Sequence, residues 1–195
     1  MPARVVDIND PDLQFPELIV LDASIVLWLR PDSQQSHNNF ITAISFFNRL
    51  QPLANQGRVK PILPLLAFEE CLFKICQFEI NAHIQNIGLS NYWVRYYKQN
   101  PQVLLRTQSA VDNFCQILQA FPIIVTEPED LAISPIDTEA RLADRMKDLI
   151  YQFLILPKDA TILGEAERLG IDTVVTLDND WTRADGFSVI TIVDN

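Results

Sequence analysis

Two carboxylates stand just past short apolar runs: Asp22 after Glu17–Leu21 (ELIVL), and Asp178 one residue beyond DTVVT. In open parallel sheets, ligands gather outside the carboxyl ends of the strands, so acidic residues in such places can act on one bound group. Asp159 heads a helix leading into the later strand, and Glu70 lies early in the helix that follows Arg58–Leu63. Four carboxylates brought from remote parts of a chain to one edge repel each other unless something positive lies between them, which is the chemistry of divalent-cation binding. Each also has a plainer role available, because Asp caps helix N-termini and opens turns.

The elements that must position these residues follow from hydrophobic periodicity. Glu17–Leu21 is bounded by Pro16 and Asp22 and reads as a buried parallel strand, and Ser24–Arg30 continues as an apolar turn or helix ended by Pro31. Ser33–Ala54 carries Phe40, Ile41, Ile44, Phe47 and Leu50 at three- and four-residue steps, predicting an amphipathic helix stopped near Pro52 or Gly57. Arg58–Leu63 is strand-like and Leu65–Ile84 helical. Gly88–Ala120 holds a further helix with Pro101 near its start, and Phe121–Thr126 is a strand that Pro122 limits to a sheet edge. Thr138–Leu154 and Asp159–Leu169 are helices, the second with Gly170 where a C-terminal cap belongs. Asp172–Leu177 (DTVVTL) and Ser188–Val193 (SVITIV) are the last strands, and Met1–Pro16 contains no predicted strand. Strands alternating with helices imply an α/β fold, a mostly parallel central sheet with helices on both faces.

Composition narrows the function. At 195 residues, 48% hydrophobic and 21% charged, one domain spanning 1–195 is the simplest organisation, with a helical elaboration at about 86–136. No apolar stretch is long enough to span a bilayer, and the acidic start of the chain lacks the apolar core of a signal peptide, so a soluble, cytoplasmic protein is expected. Cys71, Cys76 and Cys115 cannot all pair, and none stands in a CxxC spacing. A net charge of −10 argues against coating nucleic acid by bulk attraction, although clustered carboxylates contribute to that total and bound cations reverse the sign locally. Gly-rich phosphate loops and a Gly-x-Ser-x-Gly elbow are absent from the sequence.

Taken in order, LIVLDAS, AFEECL, LPKDATILGEAERLGI and VVTLDNDW resemble the PIN domain, a family of metal-dependent ribonucleases that includes toxins of bacterial toxin–antitoxin pairs. The likeness is nearly continuous from Leu156 to Ile192, with Trp181 where the family usually has Phe. It implies a three-layer α/β/α fold and a catalytic acidic set of Asp22, Glu70, Asp159 and Asp178, of which Asp22, Asp159 and Asp178 would hold metal. Ser24 and Thr176 match small hydroxyl positions, and Asp180 would be a further acidic neighbour. Glu69 competes with Glu70, since only one of the adjacent pair can face the strand edge; the spacing from Pro64 favours Glu70. Oxygen-only ligands suit Mg²⁺ or Mn²⁺. The resemblance further implies an RNA substrate, a homodimer and a possible antitoxin partner.

Other residues have less pointed readings. His37 and His83 are solitary and expected in packing or at the surface. Asn91–Lys98 (NYWVRYYK) mixes aromatic and basic residues that could stack bases, although such spacing more often builds core or an interface. Two further functions stay open: a PIN-like module that binds RNA or protein without turnover, and a phosphoacceptor receiver, which the lack of any lysine after Lys158 disfavours.

Overall fold

The computed structural model describes residues 3–30, 37–90, 92–126 and 142–193. Six strands form one sheet, all parallel: β1 (Arg4–Asp7), β2 (Leu18–Leu21), β3 (Lys60–Leu63), β4 (Ile124–Val125), β5 (Thr173–Val175) and β6 (Ser188–Thr191), in the order β1-β6-β5-β2-β3-β4. Among the described residues seven α-helices connect them: α1 (Ala23–Val26), α2 (Asn38–Asn55), α3 (Leu65–Asn86), α4 (Trp93–Gln99), α5 (Gln108–Ala120), α6 (Leu142–Phe153) and α7 (Pro157–Arg168). The chain leaves β2 toward β3 and β4 but leaves β5 toward β6, so the direction of winding reverses between β2 and β5. Right-handed crossovers then place α2, α3 and α5 on one face and α6 and α7 on the other.

The central strands are apolar because both faces are covered. Ile19, Val20 and Leu21 of β2 and Val174 and Val175 of β5 are fully buried, and replacing one by Ala would cost about 2–4 kcal/mol. They belong to one core that also takes Phe46 and Phe47 of α2, Phe114 of α5, Leu149 of α6 and Leu163 of α7. Arg145 of α6 holds Glu167 of α7 through two hydrogen bonds of 2.7 and 2.6 Å, fixing the helix that carries Asp159. A smaller cluster of Ile80, Ile84, Trp93 and Val103 joins the end of α3 to α4 and the 3-10 segment Pro101–Thr107.

Several sequence expectations need correction. β1 is not among the predicted strands: Arg4–Asp7 has only two apolar residues, Val5 and Val6, between charged ends, and it becomes a strand by pairing along β6, from Arg4 opposite Ser188 to Asp7 opposite Thr191. Of the two expected stops for α2, Gly57 is the one used: the helix passes through Pro52 and ends at Asn55, with Gly57 beyond it at φ +69°. Phe46, Phe47 and Leu50 hold the helix against the core, so one missing hydrogen bond near its end does not stop it. The region 88–120 holds α4, which is not among the predicted helices, and the further helix expected from near Pro101 begins as a 3-10 segment, Pro101–Thr107, before running on as α5. Pro61 sits inside β3, yet β4 pairs only with Ile62 and Leu63, so the missing N–H leaves no ladder bond unmade. The expected Pro31 stop, the helix starts at Ser33 and Thr138, Asn91 and the elaboration after Thr126 lie outside the described residues.

Candidate functional site

The reversal between β2 and β5 opens a crevice at their carboxyl ends, and the chain fills it with oxygen atoms. Leu21 lies opposite Val175, so the next residues, Asp22 and Thr176, are neighbours across the sheet. The Asp22 backbone N–H donates to the Val175 carbonyl at 3.0 Å, which registers this pair. Asp22 is only 5% exposed. One of its carboxylate oxygens, Oδ2, accepts from the Ser24 backbone N–H at 3.2 Å, the Ser24 hydroxyl at 2.5 Å and the Thr176 hydroxyl at 2.9 Å. Burial raises the Asp22 pKa, and these hydrogen bonds oppose the rise. Ser24 and Thr176 also order the backbone beyond β5: Leu177 N–H donates to Ser24 Oγ at 2.9 Å and Asp178 N–H to Thr176 Oγ1 at 3.0 Å.

Asp159 enters from the first turn of α7, whose N-cap is Leu156 and whose first helical residue is Pro157. Its carboxylate accepts a hydrogen bond from the Leu156 backbone, so it closes the helix end from the third position, as the acidic half of a capping box does. Capping and site membership are thus both available to it. Burial foremost, then the charges of Asp22 and Asp178 and, less strongly, Glu70, raise Asp159 to about 6 against that hydrogen bond. Asp22, Asp178 and Glu70 each stand within electrostatic reach of Asp159.

Glu70 comes from α3, which Thr126 at the end of β4 caps by accepting from Leu65 N–H at 2.9 Å. Glu70 is half-buried and Glu69 exposed, which selects Glu70 as the member turned toward the edge. Asp178 is exposed at the rim, and its Oδ1 accepts from Asp180 N–H at 2.9 Å. Asp180 itself pairs with Arg183 at 2.8 Å in solvent. Its side chain is engaged away from the buried acids.

Among the described residues no three His, Cys, Asp or Glu stand close enough together to hold one metal ion directly. A donor set of carboxylates and hydroxyls with that spacing still suits Mg²⁺ or Mn²⁺, since Mg²⁺ keeps several waters and takes one or two protein carboxylates directly. The histidines lie elsewhere: His37 caps α2 and stacks on Trp28, and His83 shares a hydrogen bond with the Tyr96 hydroxyl. Cys71 is buried beside the site, where burial and then the charges of Asp22 and Glu70 push its thiol up, leaving it neutral.

No family model and no curated protein matches the chain. Among solved structures it is similar to VapBC2 from Rickettsia felis, bound to a DNA fragment from their promoter, at 15% identity over 89% of this chain and 98% of that one, with a TM-score of 0.49. It is also similar to FitAcB from Neisseria gonorrhoeae, at 16% identity over 88% of this chain and 96% of that one, with a TM-score of 0.48.

Two features of the site escaped the sequence. Lys158 Nζ stands 3.6 Å from Glu70 Oε2, a cation directly beside the acids; its adjacency to Asp159 was the only signal for it. A groove lined by Ser24, Leu27, Trp28, Arg30 and Phe78 opens beside Ser24, which bonds Asp22, and only the approach of α3 to the segment after α1 creates it.

Proposed function

We propose that this chain is a divalent-metal-dependent endoribonuclease. The observation that carries the reading is the buried Asp22 carboxylate at the winding reversal, with Asp159, Asp178 and Glu70 near enough to act on one another through Asp159. The likeness of these motifs to PIN-domain ribonucleases supports it. Asp22, Asp159 and Asp178 would hold Mg²⁺ or Mn²⁺, in part through the waters the ion keeps, with Glu70 behind them. The bound cations would supply a polarised phosphate and a water acidic enough to attack it near neutral pH.

The chain's own residues do the rest. Ser24 and Thr176 donate to the same Asp22 oxygen, so the carboxylate is held in place before any ligand arrives. Thr176 and Asp178 together fix the turn out of β5, keeping a rim carboxylate beside a buried one. Lys158 brings a positive charge to an edge that would otherwise repel phosphate. By the same family likeness, a homodimer in the cytoplasm and a small antitoxin partner belong to this proposal.

One observation favours a second reading, a module that binds RNA without turnover: the acids are not within direct reach of a single ion. An assay of single-stranded RNA cleavage with millimolar Mn²⁺ decides between them. Cleavage that Asp22→Asn reduces by at least about 100-fold supports the enzyme. Cleavage unaltered in that variant, or none by the intact chain, counts against it.

A further inference from the structure

The groove beside Ser24 is small, apolar and built from three elements. Leu27, Trp28 and Arg30 come from the 3-10 segment Leu27–Leu29 and its end, Phe78 from the middle of α3, and Ser24 from α1. Its volume is about 150 Å³, and an apolar cavity of that size takes one benzene-sized ring. Its walls are preset: Trp28 stacks on His37 with ring centroids 4.7 Å apart, and the Arg30 guanidinium lies over the Phe78 ring at 3.9 Å. Phe78 is 39% exposed, a ring the core does not absorb.

Three properties select the occupant. Aromatic rings and guanidinium planes are the surfaces on which unpaired bases stack. Arg30 places a cation at the groove in a chain of net charge −10, where a polyanion needs one. Ser24 belongs to both places at once: it lines the groove and donates to Asp22 at 2.5 Å, so the groove and the Asp22 carboxylate share one side chain. We infer that this groove seats one unstacked nucleobase of single-stranded RNA, from a nucleotide flanking the phosphodiester held at the acids. The inference rests on the nuclease reading for its register but not for its binding. A duplex would keep its bases stacked and out of reach, so the groove also selects for single strands.

Fluorescence anisotropy of labelled single-stranded RNA on the Asp22→Asn chain tests it, each base in turn being replaced by an abasic residue. One position should lose about 5- to 100-fold in affinity, the range of a single base–aromatic stack. Phe78→Ala should weaken the intact oligonucleotide by a similar factor and make that abasic position harmless. Phe78→Leu, which keeps apolar bulk without a ring, should do the same, with melting curves confirming that both fold. If the abasic series ranks identically with and without Phe78, or the chain binds no RNA, the groove holds no base and an apolar side chain of a protein partner is the better occupant. Cleavage by the intact chain with Mn²⁺ is read separately. Abasic-sensitive binding without cleavage sinks the nuclease reading alone, and cleavage indifferent to Phe78 and to every abasic site sinks the groove alone.

Discussion

The two edges of one sheet both carry acidic side chains, and they hold them in opposite ways. At the amino edge, a cavity of about 470 Å³ is lined by Arg4, Asp10, Asp12 and Asp172. Asp10, Asp12 and Asp172 are exposed to water, and Asp10 is spent on a local turn, accepting from Asp12 N–H at 2.9 Å. At the carboxyl edge the groove beside Ser24 has only about 150 Å³, but Asp22 is buried, Asp159 half-buried, and the Asp22 charge adds to burial in raising Asp159. The difference teaches that volume does not choose the site. Water already solvates the acids at the amino edge; those at the carboxyl edge are short of positive charge, and a cation binds where it relieves that shortage.

The comparison breaks most visibly in activity. Asp22→Asn should reduce Mn²⁺-dependent RNA cleavage by at least about 100-fold, whereas Asp10→Asn and Asp172→Asn should leave it within about twofold. Equal losses from both edges would abolish the distinction.

Metal should separate the edges next. A ligand at about 100 times its Kd stabilises by roughly 2.7 kcal/mol, and a chain of this length gains about 2–4 °C per kcal/mol. Millimolar Mn²⁺ should therefore raise the melting temperature by several degrees, a gain that Asp22→Asn removes and Asp172→Asn keeps. An unchanged midpoint in the parent chain would weigh against any cation at the carboxyl edge.

A smaller effect is expected with pH in metal-free protein. Asp159 is raised to about 6, and Glu165, buried on α7 with its Oε2 unpartnered, is raised by burial to about 7. The folded chain keeps these protons after the unfolded chain has released them. Their contribution is therefore full below the ordinary carboxylate range and is lost as pH rises through about 6 and then about 7. Melting curves across that window should flatten in their lower part with Asp159→Asn and in their upper part with Glu165→Gln; a slope of the opposite sign would overturn the assignment. Lys158→Gln marks the lower limit of these effects. Its pair with Glu70 is half-exposed at 3.6 Å, so stability should fall by less than about 1 kcal/mol. A larger loss in cleavage than in stability would place Lys158 among the groups that meet the substrate.

Much of the scaffold was legible because its signals are local. Leu18–Leu21, Thr173–Val175 and Ser188–Thr191 fall inside the predicted apolar runs, and Gly170, at φ +69°, occupies the left-handed position expected after α7. The sheet is parallel throughout, as the alternation of strands and helices implied. Where expectation failed, the decisive contact was distant. Arg4–Asp7 is a strand because β6 offers it a free edge, and between the two stops open to α2, Pro52 and Gly57, buried aromatics carried the helix past the first. Trp93 of the aromatic and basic segment packs against Ile80, Ile84 and Val103, while Tyr92 beside it stays 69% exposed, a division that spacing alone did not resolve.

By itself the sequence determined which carboxylates end strands or open helices, since an apolar run followed by an acid is a local pattern that burial and capping enforce wherever the chain goes. Only the tertiary structure decided that Ser24 and Thr176, 152 residues apart, share one oxygen of Asp22, that Glu70 and not Glu69 turns inward, and that Phe78 closes a groove beside them. The reason is physical: strand order and winding direction set which chain segments meet, and the energy that selects them lies in a core no single segment contains.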